Sequence, residues 1–97
     1  MKTKNQENKM ETQTELNEKI ESAIESIATD QDVIAIVKGI EAGPETTQGH
    51  YADYMMLLTQ YAKTSKALLY VFSQALIRAG ANAYGVKWAI KILTGGN

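Results

Sequence analysis

The sequence predicts an all-α fold: a small four-helix domain following a disordered N-terminal arm. Three observations carry that expectation. Apolar residues recur at three- and four-residue spacing along most of the chain, which is the helical period and not the strand period. Residues suited to helix N-caps precede the periodic runs, and glycine or proline punctuates them. The only proline, Pro44, falls between two such runs, and no alternating β-branched segment offers a strand a partner.

The arm is residues 1–13, "MKTKNQENKMETQ", which is polar, amide-rich and nearly devoid of apolar side chains. Such a segment buries too little surface to offset the entropy lost on ordering it. Residues 14–97 are then one helical domain, small for a single core. There is no cysteine, so neither disulfides nor thiolate metal sites can supplement that core.

The first helix starts at Thr14 as its cap, with Leu16, Ile20, Ala23, Ile24 and Ile27 on one side and Glu15, Glu18, Glu21 and Glu25 on the other. A second helix follows Thr29 or Asp30 as N-cap. Asp32 sits near its first free amides, and Val33, Ile34, Ile36, Val37 and Ile40 form a wide apolar face. "EAGPETTQG" ends it as a loop. The third element is expected to be long, from His50 to Ala79. Tyr54, Leu57, Leu58, Tyr61, Leu68, Leu69, Phe72, Leu76 and Ala79 gather on one side, and Thr64 and Ser65 offer a bend in the middle. Gly80 closes it and Asn82 caps a short last helix, Ala83 to Thr94, so the glycines of "GANAYG" read as helix punctuation. In that last helix Val86, Trp88, Ala89, Ile90, Ile92 and Leu93 leave only Tyr84, Lys87 and Lys91 on a narrow polar strip. A helix apolar over most of its circumference is covered on several sides. Self-association into a homo-oligomer is therefore expected.

The charge of −1 conceals a division. Residues 1–53 hold 5 Lys against 11 Asp or Glu, while residues 54–97 hold 4 Lys and 1 Arg with no acid, and all seven aromatic residues lie from Tyr51 onward. Opposite patches of this kind orient helices within a chain or between copies, and they also suit an anionic partner. Five cations without an arginine cluster, at a pI of about 5.8, do not form the footprint of a double-stranded DNA reader. No apolar run approaches the length of a membrane span, and the last helix is too short and its polar face too narrow for firm interfacial binding. With no basic leader ahead of an apolar stretch, a cytoplasmic protein is expected.

Catalytic and metal chemistry find little support. His50 is the sole histidine; an acid–base pair with Asp53, or two metal ligands, lacks a third ligand or a nucleophile. "GANAYG" has no phosphate-loop lysine and follows a helix, so it is no nucleotide fingerprint. No cofactor is expected. The residues best suited to a ligand are two Lys/Tyr strips: Lys63, Lys66, Tyr70 and Gln74 on the long helix, and Tyr84, Lys87 and Lys91 on the last. Lysines interleaved with tyrosine can pair with phosphates while a ring stacks on a base.

Ala75 through Ile90, "ALIRAGANAYGVKWAI", resembles the pattern A-L-I-x-A-G-A-N-x-x-G-V-x-x-A, followed by Ile or Leu, of small phage-encoded helical accessory proteins; no activity attaches to that pattern. The ending "VKWAIKILT" resembles the final helix of phage proteins that sequester cyclic oligonucleotide signals, though their N-terminal aromatic–arginine motif has no counterpart here. The resemblance implies a phage or prophage accessory protein. The expectation that follows is a non-enzymatic interaction protein acting on a host protein, with sequestration of an anionic small molecule such as a cyclic nucleotide as the alternative.

Overall fold

The computed structural model describes residues 2–44, 48–62 and 65–95, with side chains from residue 13 onward. Five helices follow one another: α1 (Lys2–Ala28), α2 (Gln31–Ala42), α3 (Tyr51–Ala62), α4 (Lys66–Arg78) and α5 (Ala83–Leu93), with a 3-10 turn at Gln48–His50 leading into α3. Among the described residues all regular structure is helical, as the apolar spacing predicts.

α1 starts twelve residues earlier than expected. Helical backbone runs through the stretch read as an arm, and Thr14 lies inside the helix instead of capping it. Residues 2–13 contain no glycine or proline and are rich in Lys, Glu and Gln, which lose little side-chain freedom in a helix. Leu16 remains 54% exposed. Packing begins at Ile20: Ile24 and Ala28 are buried against Ala75 of α4, with Ile20, Ile27 and Val71 around them. Arg78 at the end of α4 bridges Glu21 at 2.5 Å and Glu25 at 3.4 Å. The guanidinium hydrogen bond holds the Glu21 carboxyl below its ordinary range, but an exposed pair of this kind adds little stability. The α1–α4 contact therefore rests mainly on its apolar residues. Truncating the fully buried Ile24 to Ala costs about 2–5 kcal/mol at such a site.

The long third helix is two helices. Ser65 adopts an extended conformation (φ −79°, ψ 118°), and its hydroxyl accepts the Leu68 N–H at 3.2 Å, so it caps α4 in place of continuing α3. Lys63 and Thr64 lie outside the described residues. The expected bend is thus a break, and α4 folds back against α3. In one uninterrupted helix Tyr61 and Phe72 would be about 16 Å apart along the axis; their rings stack with centroids 5.9 Å apart.

The other caps follow the sequence closely. Asp30 Oδ1 accepts the N–H groups of Asp32 at 2.8 Å and Val33 at 3.2 Å. Asn82 Oδ1 accepts those of Tyr84 at 2.9 Å and Gly85 at 3.1 Å. Gly80, at φ 115°, closes α4. Gly85 is not punctuation: it sits within α5, where a Cβ would lie 1.7 Å from the carbonyl oxygen of Gly49. Only the absence of a side chain lets α5 approach the 3-10 turn this closely. The main core joins Val37, Tyr54, Leu58, Leu69, Leu76, Val86 and Ala89, and so draws on α2 through α5. No helix among the described residues is long and apolar enough to cross a membrane.

Candidate functional site

Three features stand out, and the first explains the position of α2. Glu41, in the last turn of α2, accepts a hydrogen bond from the Tyr54 hydroxyl on α3 and, at the same Oε2, from the Asn82 backbone N–H at 2.9 Å. His50 Nε2 lies 4.0 Å from Glu41 Oε1. One carboxylate thus ties α2 to α3 and to the α4–α5 turn. Burial, then the bond to Glu41, pushes the Tyr54 phenol well above the usual tyrosine range. The His50–Asp53 pair considered from the sequence is not the contact formed. Gly49 and His50 both take left-handed φ angles (60° and 61°), and the imidazole is buried beside Glu41 while Asp53 stays exposed. Among the described residues no group of three or more His, Cys, Asp or Glu side chains is placed to hold a metal ion.

The second feature is a cleft of about 350 Å³ under the N-terminal half of α2. Val33 and Ile36 of α2 form one wall. Leu57, Leu58 and Tyr61 of α3 form the opposite one, with Phe72 and Leu76 of α4 alongside. Ser26 and Ile27 from the end of α1 close one end, where Asp30 and Asp32 supply carboxylates at the rim. Held at Glu41 and again by the α1–α2 turn, α2 leaves this space between its first turns and the α3–α4 pair. Ile36 is 38% exposed and Tyr61 48%, so the cleft opens on an apolar lip. A concave, mostly apolar site with a few charges at one edge suits a bulky apolar group flanked by a cation.

The third feature lies on α5. Trp88 is half-buried, with Tyr51 tilted against it at 6.5 Å and Tyr84 edge-on at 6.4 Å between ring centroids. Lys91 Nζ stands 5.4 Å above the Trp88 ring, a cation–π distance. Of the residues singled out in the sequence, Tyr84 and Lys91 are therefore brought together through Trp88, and Lys87 is exposed on the same outward side. Lys66, Tyr70 and Gln74 form a separate stripe on α4, exposed at Lys66 and Tyr70 and half-buried at Gln74. Lys63 lies outside the described residues.

No protein-family model, curated protein or solved structure matches this chain.

The cleft and the Glu41 junction were not legible as sites in the sequence. Leu57, Leu58 and Leu76 read as ordinary core positions, Asp30 as a cap residue, which it also is, and Asp32 as a first-turn acid beside the free amides. The available signal was an excess: the apolar arcs of α2 and α3 are wider than one neighbour covers, as Ile36 and Tyr61 show.

Proposed function

We propose that this chain is a binding protein whose working surface is the α2–α3–α4 cleft, and that its partner is a protein presenting an amphipathic helix with basic residues beside its apolar face. The observation that carries the reading is an apolar cavity of about 350 Å³ with Asp30 and Asp32 at its rim. An apolar side chain would enter between Val33, Leu57 and Phe72, and a flanking lysine or arginine would meet the carboxylates. The resemblance of Ala75–Ile90 to phage accessory proteins suggests a host protein as that partner.

The test is a heteronuclear NMR titration of the full chain with two short amphipathic peptides, one built from Leu and Lys and one from Leu and Glu. The Leu/Lys peptide is expected to shift Val33, Leu57 and Phe72, and Ile36→Lys, at a lip position 38% exposed, is expected to abolish the effect. Absence of shifts at those residues with the Leu/Lys peptide, or equal shifts with both peptides, would overturn the reading.

A second reading is supported by Lys91 over Trp88 with Tyr84 at its edge: capture of a planar anionic ligand such as a nucleotide or cyclic nucleotide. It calls for a rise in melting temperature with adenosine monophosphate or a cyclic dinucleotide that Lys87→Glu removes. A flat response across both ligands rejects it.

A further inference from the structure

We infer that α5 of a second copy of this chain occupies the cleft when no other partner does. The inference rests on the cleft being a docking surface, as proposed above, and adds the identity of one occupant. Its basis is complementarity between two surfaces of the same molecule that cannot meet within it. The outward side of α5 carries Tyr84, Lys87, Lys91 and Ile92, with Tyr84 56% and Ile92 41% exposed. That is the chemistry the cleft selects: apolar and aromatic bulk beside two cations.

Among the described residues the charges on both surfaces are free of ion pairs, although Asp30 caps α2 and Lys91 stands over Trp88. Among the described residues, Asp32, Lys87 and Lys91 have no ion-pair partner, whereas Arg78 is already taken by Glu21 and Glu25. α5 is fixed by its inner side, where Gly85, Val86 and Ala89 are buried and Gly85 lies against Gly49 of the 3-10 turn. No α5 residue lines the cleft. An outward α5 face therefore reaches a cleft only on another molecule. Each copy offers one α5 face and one cleft, so the contact joins two different surfaces. A partner protein presenting a basic amphipathic helix would compete with α5 for the same cavity, so self-association and partner binding exclude each other.

The charge division of the sequence acquires a direction from this. The acid-rimmed cleft comes largely from the acidic half of the chain at its charged edge, and the face that fills it comes from the acid-free half.

Reciprocal charge reversal tests it on the full chain, by sedimentation equilibrium. One variant carries Asp30→Asn and Asp32→Lys, because asparagine keeps the α2 cap. The other carries Lys87→Glu and Lys91→Glu. Wild type is expected to exceed its 10.7 kDa monomer mass in a concentration-dependent way. Each variant alone places like charges at the contact, and its self-association is expected to weaken about tenfold or more. Mixing the two restores opposite charges at both kinds of contact, so a 1:1 mixture is expected to associate as wild type does. The Leu/Lys peptide is expected to return wild type to monomer.

A monomeric wild type, or variants that associate as wild type does, overturns the inference; so does a mixture that stays monomeric while circular dichroism shows both variants folded. If the peptide binds the cleft in the NMR titration but wild type is monomeric, self-docking alone fails. If the peptide does not bind, the cleft reading fails with it.

Discussion

The rings of Tyr61 and Phe72 stack at 5.9 Å, one on each side of the break at Ser65. Their contact exists only because α4 turns back on α3, and both rings line the cleft. The cap at Ser65 is therefore a determinant of the site as well as of the helix. Ser65→Ala removes the acceptor for the Leu68 N–H and is expected to destabilise the protein by about 0.5–2 kcal/mol. Ser65→Asp restores a capping oxygen and should recover most of that loss. Urea unfolding of the two variants checks it, and equal midpoints for Ala and Asp would show that the cap contributes nothing.

Two glycines on helices make opposite predictions. A Cβ at Gly85 would lie 1.7 Å from the Gly49 carbonyl oxygen, whereas at Gly39, within α2, nothing lies within 4 Å. Gly85→Ala should cost about 3 kcal/mol, because backbone has to move to admit a methyl group. Gly39→Ala should stabilise by about 1 kcal/mol through helix propensity alone. Thermal melts of the pair decide this, and a neutral Gly85→Ala would mean that α5 does not sit against the 3-10 turn.

The buried Tyr54 phenol predicts an alkaline limit. Its pKa is raised in the folded state, by burial first and by Glu41 second. The unfolded chain then releases the proton more readily than the folded one, so the unfolded state holds fewer protons and stability falls as pH rises. The contribution is fully present below the unfolded tyrosine value of about 10 and declines above it. Urea midpoints measured on either side of that pH should fall for wild type, and fall less for Tyr54→Phe. At neutral pH, Tyr54→Phe should itself cost about 1–3 kcal/mol, since it leaves Glu41 short of a donor in a partly buried place.

Arg78 offers a control. Its partners Glu21 and Glu25 are both exposed, so Arg78→Met should change the melting temperature very little at moderate salt. Ile24→Ala, a few residues along the same interface, should lower it severely. A large effect at Arg78 would show that charge, and not apolar burial, holds α1 to α4.

How much of this was readable from residues alone varied with the range of the interaction involved. Asp30 and Asn82 were recognisable as caps because a cap is a local event, satisfied within three residues. The helical class followed from spacing for the same reason. The boundary of α1 was missed because propensity without an apolar face is a weak signal, and the break at Ser65 because Thr64 and Ser65 are tolerated inside helices when packing favours continuity. Gly85 was misread since its reason lies with Gly49, 36 residues away in sequence. The Glu41 junction joins groups from α2, α3 and the α4–α5 turn, and nothing in the spacing of Glu41, Tyr54 and Asn82 announces that they meet. Of the residues suspected of binding, those on α5 cluster and those on α4 do not join them. The cleft arises from the way the first turns of α2 sit over α3 and α4, an arrangement that no sequence pattern encodes.

The Glu41 junction also makes α2 a strut pinned at both ends, with Glu41 at one, the turn from α1 at the other and the buried Val37 between them. The wall it lends to the cleft, Val33 and Ile36, is up to eight residues from Glu41, about 12 Å along the helix axis. One of those two anchors is thus a tyrosine and a backbone amide that do not themselves line the cavity. A change at Tyr54 therefore reaches the cavity from outside it, without replacing any residue that lines it.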